Sequence, residues 1–314
     1  MRRYYILKVL LVALSISLLT TGASAADTKC YNPALTLWSG FYKIKPGGSR
    51  DYFVEPYTVN IVAIYDLSKG THNKDVGNYI LWYYNHLNYD DRFGLSGSMY
   101  DYWMSVSGCA EKPTNSYDSA DAYAGTFLTL VYRYYRKTGD IGLLKHIFPK
   151  LKDVAYIIPY LRNGDTGLVR ALPDTDEEYL MDNCEDYGGI TAFLRLIRVM
   201  GIKKNKALYD YYEKVRKSLK AAIIGNLYDG RRKDFDWAII DADRKHSSLS
   251  VFYPDLYAQL FPILYKTTSE STVSRIYLWK AVNKALNRQK KPMPLDQRAY
   301  YELTAESMNV RTHH

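Results

Sequence analysis

Ser116 to Asp140 reads SYDSADAYAGTFLTLVYRYYRKTGD. The stretch opens polar and acidic, then turns apolar at helical spacing. Ala124, Phe127, Leu128 and Val131 fall at i, i+3, i+4 and i+7, the mark of one buried helix face. Asp118 or Ser119 suits the N-cap, where backbone N–H groups need acceptors. Gly139 suits the left-handed position after the last turn. Asp118 and Asp121 then share one side of the first turn of a core helix. Two carboxylates there either do acid–base chemistry or complement the positive end of the helix dipole.

Working outward, the same design recurs. Helices opened by an acidic turn begin near Glu55 (EPYTVNIVAIYDL), Asp118, Asp182 (MDNCEDYGGITAFLRLIRVMG) and Asp255 (FYPDLYAQLFPILY), at steps of 63, 64 and 73 residues. A more amphipathic helix follows each, at Lys74–Leu87, Ile141–Leu161, Lys203–Ile224 and Ser271–Leu286. A long repeat of a helix pair predicts stacked hairpins sharing one core. Curled into a ring, the first helix of each pair lies inside and the second outside. All inner N-termini then point to one end, and their acids converge on one cavity mouth. Residues 26 to 53 read as an irregular lead-in with a turn at Pro46-Gly47-Gly48. Phe93 to Cys109 reads as a β-like excursion, and 226 to 245 as an extended pair turning at Asp229-Gly230. A last short helix spans Leu295 to Ser307.

The 314 residues suffice for a sizeable core. Tyrosine is the anomaly, with 32 against 9 Phe and 5 Trp. Its flat face and hydroxyl suit a wide, half-wet cavity, or the surplus is a habit of the source genome. Arg2, Arg3 and Lys8, the apolar run Val9–Leu19 and Ala23-Ser24-Ala25 have the order of a secretory signal peptide. The expectation is a leader over 1–25, a single domain over 26–314, export to the periplasm or beyond, and no membrane span after cleavage. Removing the three leader cations lowers the net charge from +9 to +6. That balance suits an acidic polymer such as a uronic-acid polysaccharide. The clusters at Lys203, Lys204 and Lys206, Arg231–Lys233 and Arg288–Lys291 read instead as solvated helix ends and loops. Nucleic acid is not expected, because the chain reads as exported and carries no recognition motif. Cys30, Cys109 and Cys184 allow three different single bridges and always leave one thiol over. Their spacing matches no metal site, and no metal or cofactor is expected. His146 and His246 are isolated.

The series EPYTVN (55–60), YDYW (100–103), YDSADAYAGTFL (117–128), YLMDNCEDYGG (179–189) and FYPDLYAQLFP (252–262) resembles the six-hairpin glycosidase superfamily, especially exported bacterial members. The resemblance runs from about Glu55 to Tyr265. It implies an all-α fold, an (α/α) toroid of helical hairpins with short β-like loop excursions. It also implies a saccharide cleft over the inner N-termini, with Asp or Glu as acid and base. Asp118-x-x-Asp121 is similar to the acidic signature of the glucanase branch, where the two acids are closer in sequence. Two departures stand out. Four hairpins and a C-terminal remnant are legible where a closed toroid needs six. RQKKPMPLDQRAYYELTAESMNV also replaces the aromatic segment expected after the fourth hairpin, so the ring is either open or shortened.

Glycoside hydrolysis needs one protonated and one ionised carboxyl. Asp121 is the candidate acid and Asp182 or Glu185 the candidate base, with Asp118 beside them; Asp182 is equally suited to capping its helix. Candidate saccharide contacts are Glu55, Tyr57, Tyr100, Asp101, Trp103, Tyr117, Tyr187, Trp237, Tyr253 and Asp255. Aromatic faces there would stack on pyranose rings, and the carboxylates would take hydroxyls. The leading reading is an exported glycoside hydrolase acting on a polysaccharide or oligosaccharide. Two others stay open: a polysaccharide lyase, and a non-catalytic carbohydrate-binding or scaffold protein of an exopolysaccharide system.

Overall fold

The computed structural model describes residues 29–38, 42–44, 50–268, 274–287 and 293–310. The leader at 1–25, the Pro46-Gly47-Gly48 turn, the Ser271 helix start and the Arg288–Lys291 cluster lie outside the described residues.

The predicted alternation of inner and outer helices is visible in what each helix buries. α2 (Pro56–Lys69), α4 (Ala120–Thr138) and α6 (Leu180–Met200) bury nearly their whole circumference through the first turns. By contrast α7 (Lys206–Leu227) buries only the stripe Tyr212, Val215, Leu219, Ile223 and Leu227. A helix apolar on one stripe covers a core from outside, and one buried all round sits within it. α3 (Asn73–Asn85) and α5 (Ile141–Tyr160) join α7 in the outer layer. Local chemistry sets the boundaries. Pro56 occupies the first turn of α2, and Gly70 ends it at φ 78°. Ser119 caps α4, and Gly139 ends it at φ 71°.

α2 packs on α4, α4 on α6, and α6 on the short α8 (Leu260–Leu264). Beyond α9 (Arg275–Leu286), α10 (Leu295–Ser307) packs on both α8 and α2. The C-terminal segment read as a remnant is thus a fifth inner helix. Among the described residues the ring falls short of six hairpins, yet α10 closes it. The tightest approach is between α4 and α6. A Cβ added at Gly189 would lie 2.6 Å from the Cα of Gly125, and one at Gly125 would lie 2.8 Å from the carbonyl oxygen of Glu185. The two backbones touch with no side chain between them.

Three small antiparallel sheets rim the ring. The first joins β1 (Tyr42–Ile44), β2 (Arg50–Val54), β3 (Tyr102–Met104) and β4 (Glu111–Pro113). The lead-in read as irregular therefore holds two strands and the short helix α1 (Pro33–Leu37). Their partner strand lies about fifty residues on, with Phe53 opposite Trp103. The second sheet joins β5 (Glu177–Tyr179), β8 (Ala238–Ile240) and β9 (Asp243–Lys245). The third pairs β6 (Tyr228–Asp229) with β7 (Asp234–Phe235). The single extended pair expected over 226–245 is thus two hairpins. Asp236, fully buried between them, accepts from Arg232, from Arg244 at 2.6 Å and faces His246 Nδ1 at 2.7 Å.

The helix expected over Phe252–Tyr265, with a kink or limit at Pro262, is broken at its start. Tyr253 takes extended angles (φ −110°, ψ 131°) ahead of Pro254, whose ring disfavours helix at the preceding residue. A wide turn, Phe252–Leu256, precedes α8 instead. Of the three bridges the cysteines allow, the structure has Cys30–Cys109, with Cα atoms 4.9 Å apart, and leaves Cys184 buried and free. The bridge ties the lead-in to the β3–β4 loop across 79 residues. Cys109→Ser should lower the unfolding free energy by about 2–4 kcal/mol, read as a shift of the urea midpoint. An unchanged midpoint would mean that the bridge adds nothing.

Candidate active site

The N-terminal turns of α2, α4, α6 and α10, with the Phe252–Leu256 turn, surround a cavity of about 900 Å³. Glu55 and Tyr57 come from α2, and Asp118, Ser119 and Tyr123 from the entry to α4. Met181 and Asp182 come from α6, and Asp296 from α10. Phe53, Asp101, Tyr117, Glu177, Tyr179, Trp237, Tyr253 and Tyr257 complete the wall. The ring of Trp237 stacks on Tyr179 at 6.4 Å. The buried Asp236 beside Trp237 anchors that wall.

Beneath the floor lies a buried acidic cluster. Asp121, Glu185 and Asp186 are all 0% exposed. Ser119 Oγ lies 2.5 Å from Asp121 Oδ1 and 3.0 Å from Asp182 Oδ2, so it joins the cluster to the cavity. Asp121 Oδ1 also accepts the N–H of Ala122 at 2.7 Å. Glu185 accepts from Tyr57 at 3.1 Å and from Tyr300 of α10. Burial pushes the Asp182 carboxyl well above the usual carboxylate range, and the neighbouring charge of Asp121 adds to it. Glu185 is raised for the same reason, by burial and then by Asp182; Asp186 by burial and then by Asp121. Burial also lifts Asp121, to about 6, and the hydrogen bonds from Ser119 and Ala122 hold it that low.

The structure brings together Glu55, Tyr57, Asp101, Tyr117, Asp118, Asp182, Trp237 and Tyr253 on one surface. It does not bring Asp121 or Glu185 to that surface: both lie under it. Four expected contacts lie outside the lining. The Tyr100 hydroxyl accepts from the backbone N–H of Arg92 at 2.8 Å. Trp103 sits against the edge of Phe53 at 5.0 Å. The Tyr187 hydroxyl accepts from Arg216 at 2.8 Å. Asp255 is taken up by the backbone N–H of Ser248 at 2.7 Å. Sequence reasoning missed Asp296 and Tyr300. Pro294-Leu295-Asp296 carries the same proline and acid opening as Glu55-Pro56 and Pro254-Asp255, and it was the available signal. Among the described residues, no group of three or more His, Cys, Asp or Glu is placed to hold a metal ion.

Fold and cavity together define a class by architecture, the (α/α) toroid of helical hairpins. Particular solved structures share it. A rhamnosidase from Klebsiella oxytoca with rhamnose bound superposes with a TM-score of 0.58 at 13% identity, over 90% of this chain and 51% of that one. A GH78 family rhamnosidase of Bacillus sp. GL1 gives 0.52 at 13% identity, over 82% of this chain and 25% of its own. A sugar epimerase from a ruminal bacterium gives 0.51 at 12% identity, over 85% and 75%. The chain spans about half the length of the first rhamnosidase and a quarter of the second. No protein-family model and no curated protein matches the sequence.

The raised carboxyls tie stability to pH. The folded chain holds protons on Asp182, Glu185 and Asp186 that the unfolded chain releases. Their contribution is complete below the ordinary carboxylate range and is lost as pH rises through the raised values. Urea midpoints should therefore fall as pH rises from the ordinary carboxylate range through neutral. Asp186→Asn, which has nothing to ionise, should fall less across that window. Parallel curves for the two proteins would remove Asp186 from this linkage.

Proposed function

We propose that this chain is an exported glycoside hydrolase in which Asp182 is the general acid and Asp118 the second carboxyl. One observation carries the reading: Asp182 faces a cavity walled by aromatic rings, and burial drives its carboxyl well above the usual carboxylate range. A leaving glycosidic oxygen needs a carboxyl still protonated near neutral pH, and a raised pKa supplies it. Asp118, beside it on the exposed rim, serves to activate water or to stabilise positive charge on the sugar. The faces of Tyr57, Tyr117, Tyr179, Trp237, Tyr253 and Tyr257 offer stacking to pyranose rings. This assignment moves the acid role from Asp121, which lies under the floor, to its neighbour across Ser119.

Six carboxylates line the cavity, and no Lys, Arg or His is among its described lining residues. A uronate lyase would need a cation there to neutralise the substrate carboxylate. The lining supports an uncharged saccharide over the acidic polymer that the net charge suggested. Rhamnosidase likeness makes deoxyhexosides the first substrates to try. Support for export comes from the leader pattern and from the Cys30–Cys109 bridge, since disulfides persist in oxidising compartments.

The test is product release from a panel of neutral oligosaccharides and aryl glycosides, aryl rhamnosides included. Asp182→Asn should cut the rate on oligosaccharides by about 10²–10⁴-fold. It should cut it far less on nitrophenyl glycosides, whose leaving group needs no proton. Full-rate cleavage by Asp182→Asn would end its role as acid. Saccharide retention without any cleavage by the native chain would favour the binding-protein reading.

A further inference from the structure

Ser119 has one O–H proton and faces two carboxyl oxygens, Asp121 Oδ1 at 2.5 Å and Asp182 Oδ2 at 3.0 Å. A hydroxyl donates one hydrogen bond and accepts two. That one proton cannot serve two ionised carboxylates at once, and burial favours a proton on one of the two carboxyls. The surroundings decide which. Asp121 Oδ1 already accepts a backbone N–H from Ala122 at 2.7 Å, the environment of an ionised oxygen. Asp121 Oδ2 and both oxygens of Asp186 are buried and take no bond from any N–H or hydroxyl group. Burial, and then the neighbouring charge of Asp121, drives the Asp186 carboxyl toward its protonated form. With the Ser119 hydroxyl and the Ala122 N–H both converging on its Oδ1, Asp121 is the ionised member, and the loaded member beside Ser119 is Asp182.

We infer that Ser119 is a hydroxyl rotor. It donates to Asp121 while Asp182 holds its proton, and turns to donate to Asp182 once that proton has left for the substrate oxygen. No proton is consumed or created in the turn: the O–H stays on Ser119 and only its acceptor changes. Asp121 tolerates the loss because the Ala122 N–H remains on its Oδ1. The charge developing on Asp182 then meets a hydrogen bond that was not made to it beforehand, an interaction strongest where the reaction needs it. Ser119 and Asp121 are positioning residues in this scheme, and their use in catalysis rests on the reading of Asp182 as the proton donor.

The groups facing Asp182 are known from each neighbouring element. They are Asp118 and Asp121 at the start of α4, Glu185 and Asp186 on α6, Tyr57 on α2, Tyr179 on β5 and Tyr253 on the wide turn. Burial pushes the three tyrosine hydroxyls upward, so they stay neutral while the carboxyls titrate. The two positioning residues therefore act on Asp182 with opposite signs. Ser119 stabilises its ionised form, and the charge on Asp121 opposes it.

The experiment is a carbon-13 titration of the aspartate carboxyls in the whole folded chain, with the Asp182 signal assigned by its loss in Asp182→Asn. Ser119→Ala should move the Asp182 midpoint to higher pH. Asp121→Asn, which keeps an oxygen for Ala122 and removes the charge, should move it to lower pH. Ser119→Thr, which keeps the hydroxyl, should leave it near the wild-type value. Should Asp121→Asn fail to fold, the two Ser119 variants decide alone. A midpoint that stays put or falls in Ser119→Ala would overturn the rotor, as would one that moves equally in Ser119→Thr. The titration reads no turnover, so it stands or fails separately from the glycosidase reading.

Discussion

The contact of α4 with α6 through Gly125 and Gly189 is the constraint on which the rest depends. With no side chain between the two backbones, the residues one turn away are forced inward. Those residues are Asp121, Glu185 and Asp186, three acids that water cannot reach. A buried ionised carboxylate without partners costs far more than the domain's margin of stability. The cluster resolves this by holding protons and by drawing hydroxyl donors from other helices. Tyr57 reaches Glu185 from α2, and Tyr300 reaches it from α10. Ring closure by α10 is in this sense part of the same solution: it brings the second tyrosine to the centre.

Tyrosine usage follows from this requirement. A tyrosine fills the volume of a phenylalanine and still satisfies a buried acceptor. Tyr123 donates to Asp101 at 2.7 Å, Tyr117 to Asp91 at 2.6 Å and Tyr79 to Asn60 at 3.0 Å, all buried. Other tyrosines line the cavity with their faces open. The surplus thus serves both a polar core and a wet hollow, and the sequence reading saw only the second.

What the sequence disclosed was set by local rules. Acidic turns before apolar runs, Gly70 and Gly139 as stops, and steps near 63 residues are all written in neighbouring residues, and they placed Glu55, Asp118 and Asp182 at one mouth. The outcome at Asp121 was harder to read. It stands one turn from Asp118, yet Ser119 is the point where the chain passes from rim to interior. Which side of that cap faces the hollow depends on the α4–α6 contact 64 residues away in sequence, between Gly125 and Gly189. The β2–β3 pairing is non-local in the same way, and so is the Cys30–Cys109 bridge. Asp255 misled because its acidic-turn pattern matched, while Pro254 broke the helix that would have aimed it.

Six carboxylates share one cavity with no cation among its described lining residues, and their mutual repulsion must be offset. Four inner helices of twelve residues or more, α2, α4, α6 and α10, turn their N-termini toward that hollow. Each end carries roughly half a positive charge on its unpaired N–H groups. The ring therefore builds a diffuse positive floor from backbone alone, which favours ionised acids around the rim. A carboxyl that keeps its proton in the same place must escape that influence. Asp182 stands in the first turn of α6 and still departs upward, so its burial and the charge on Asp121 outweigh the dipole of its own helix. The buried cluster supplies that exception, which is why acids beneath the floor bear on the chemistry of the lining.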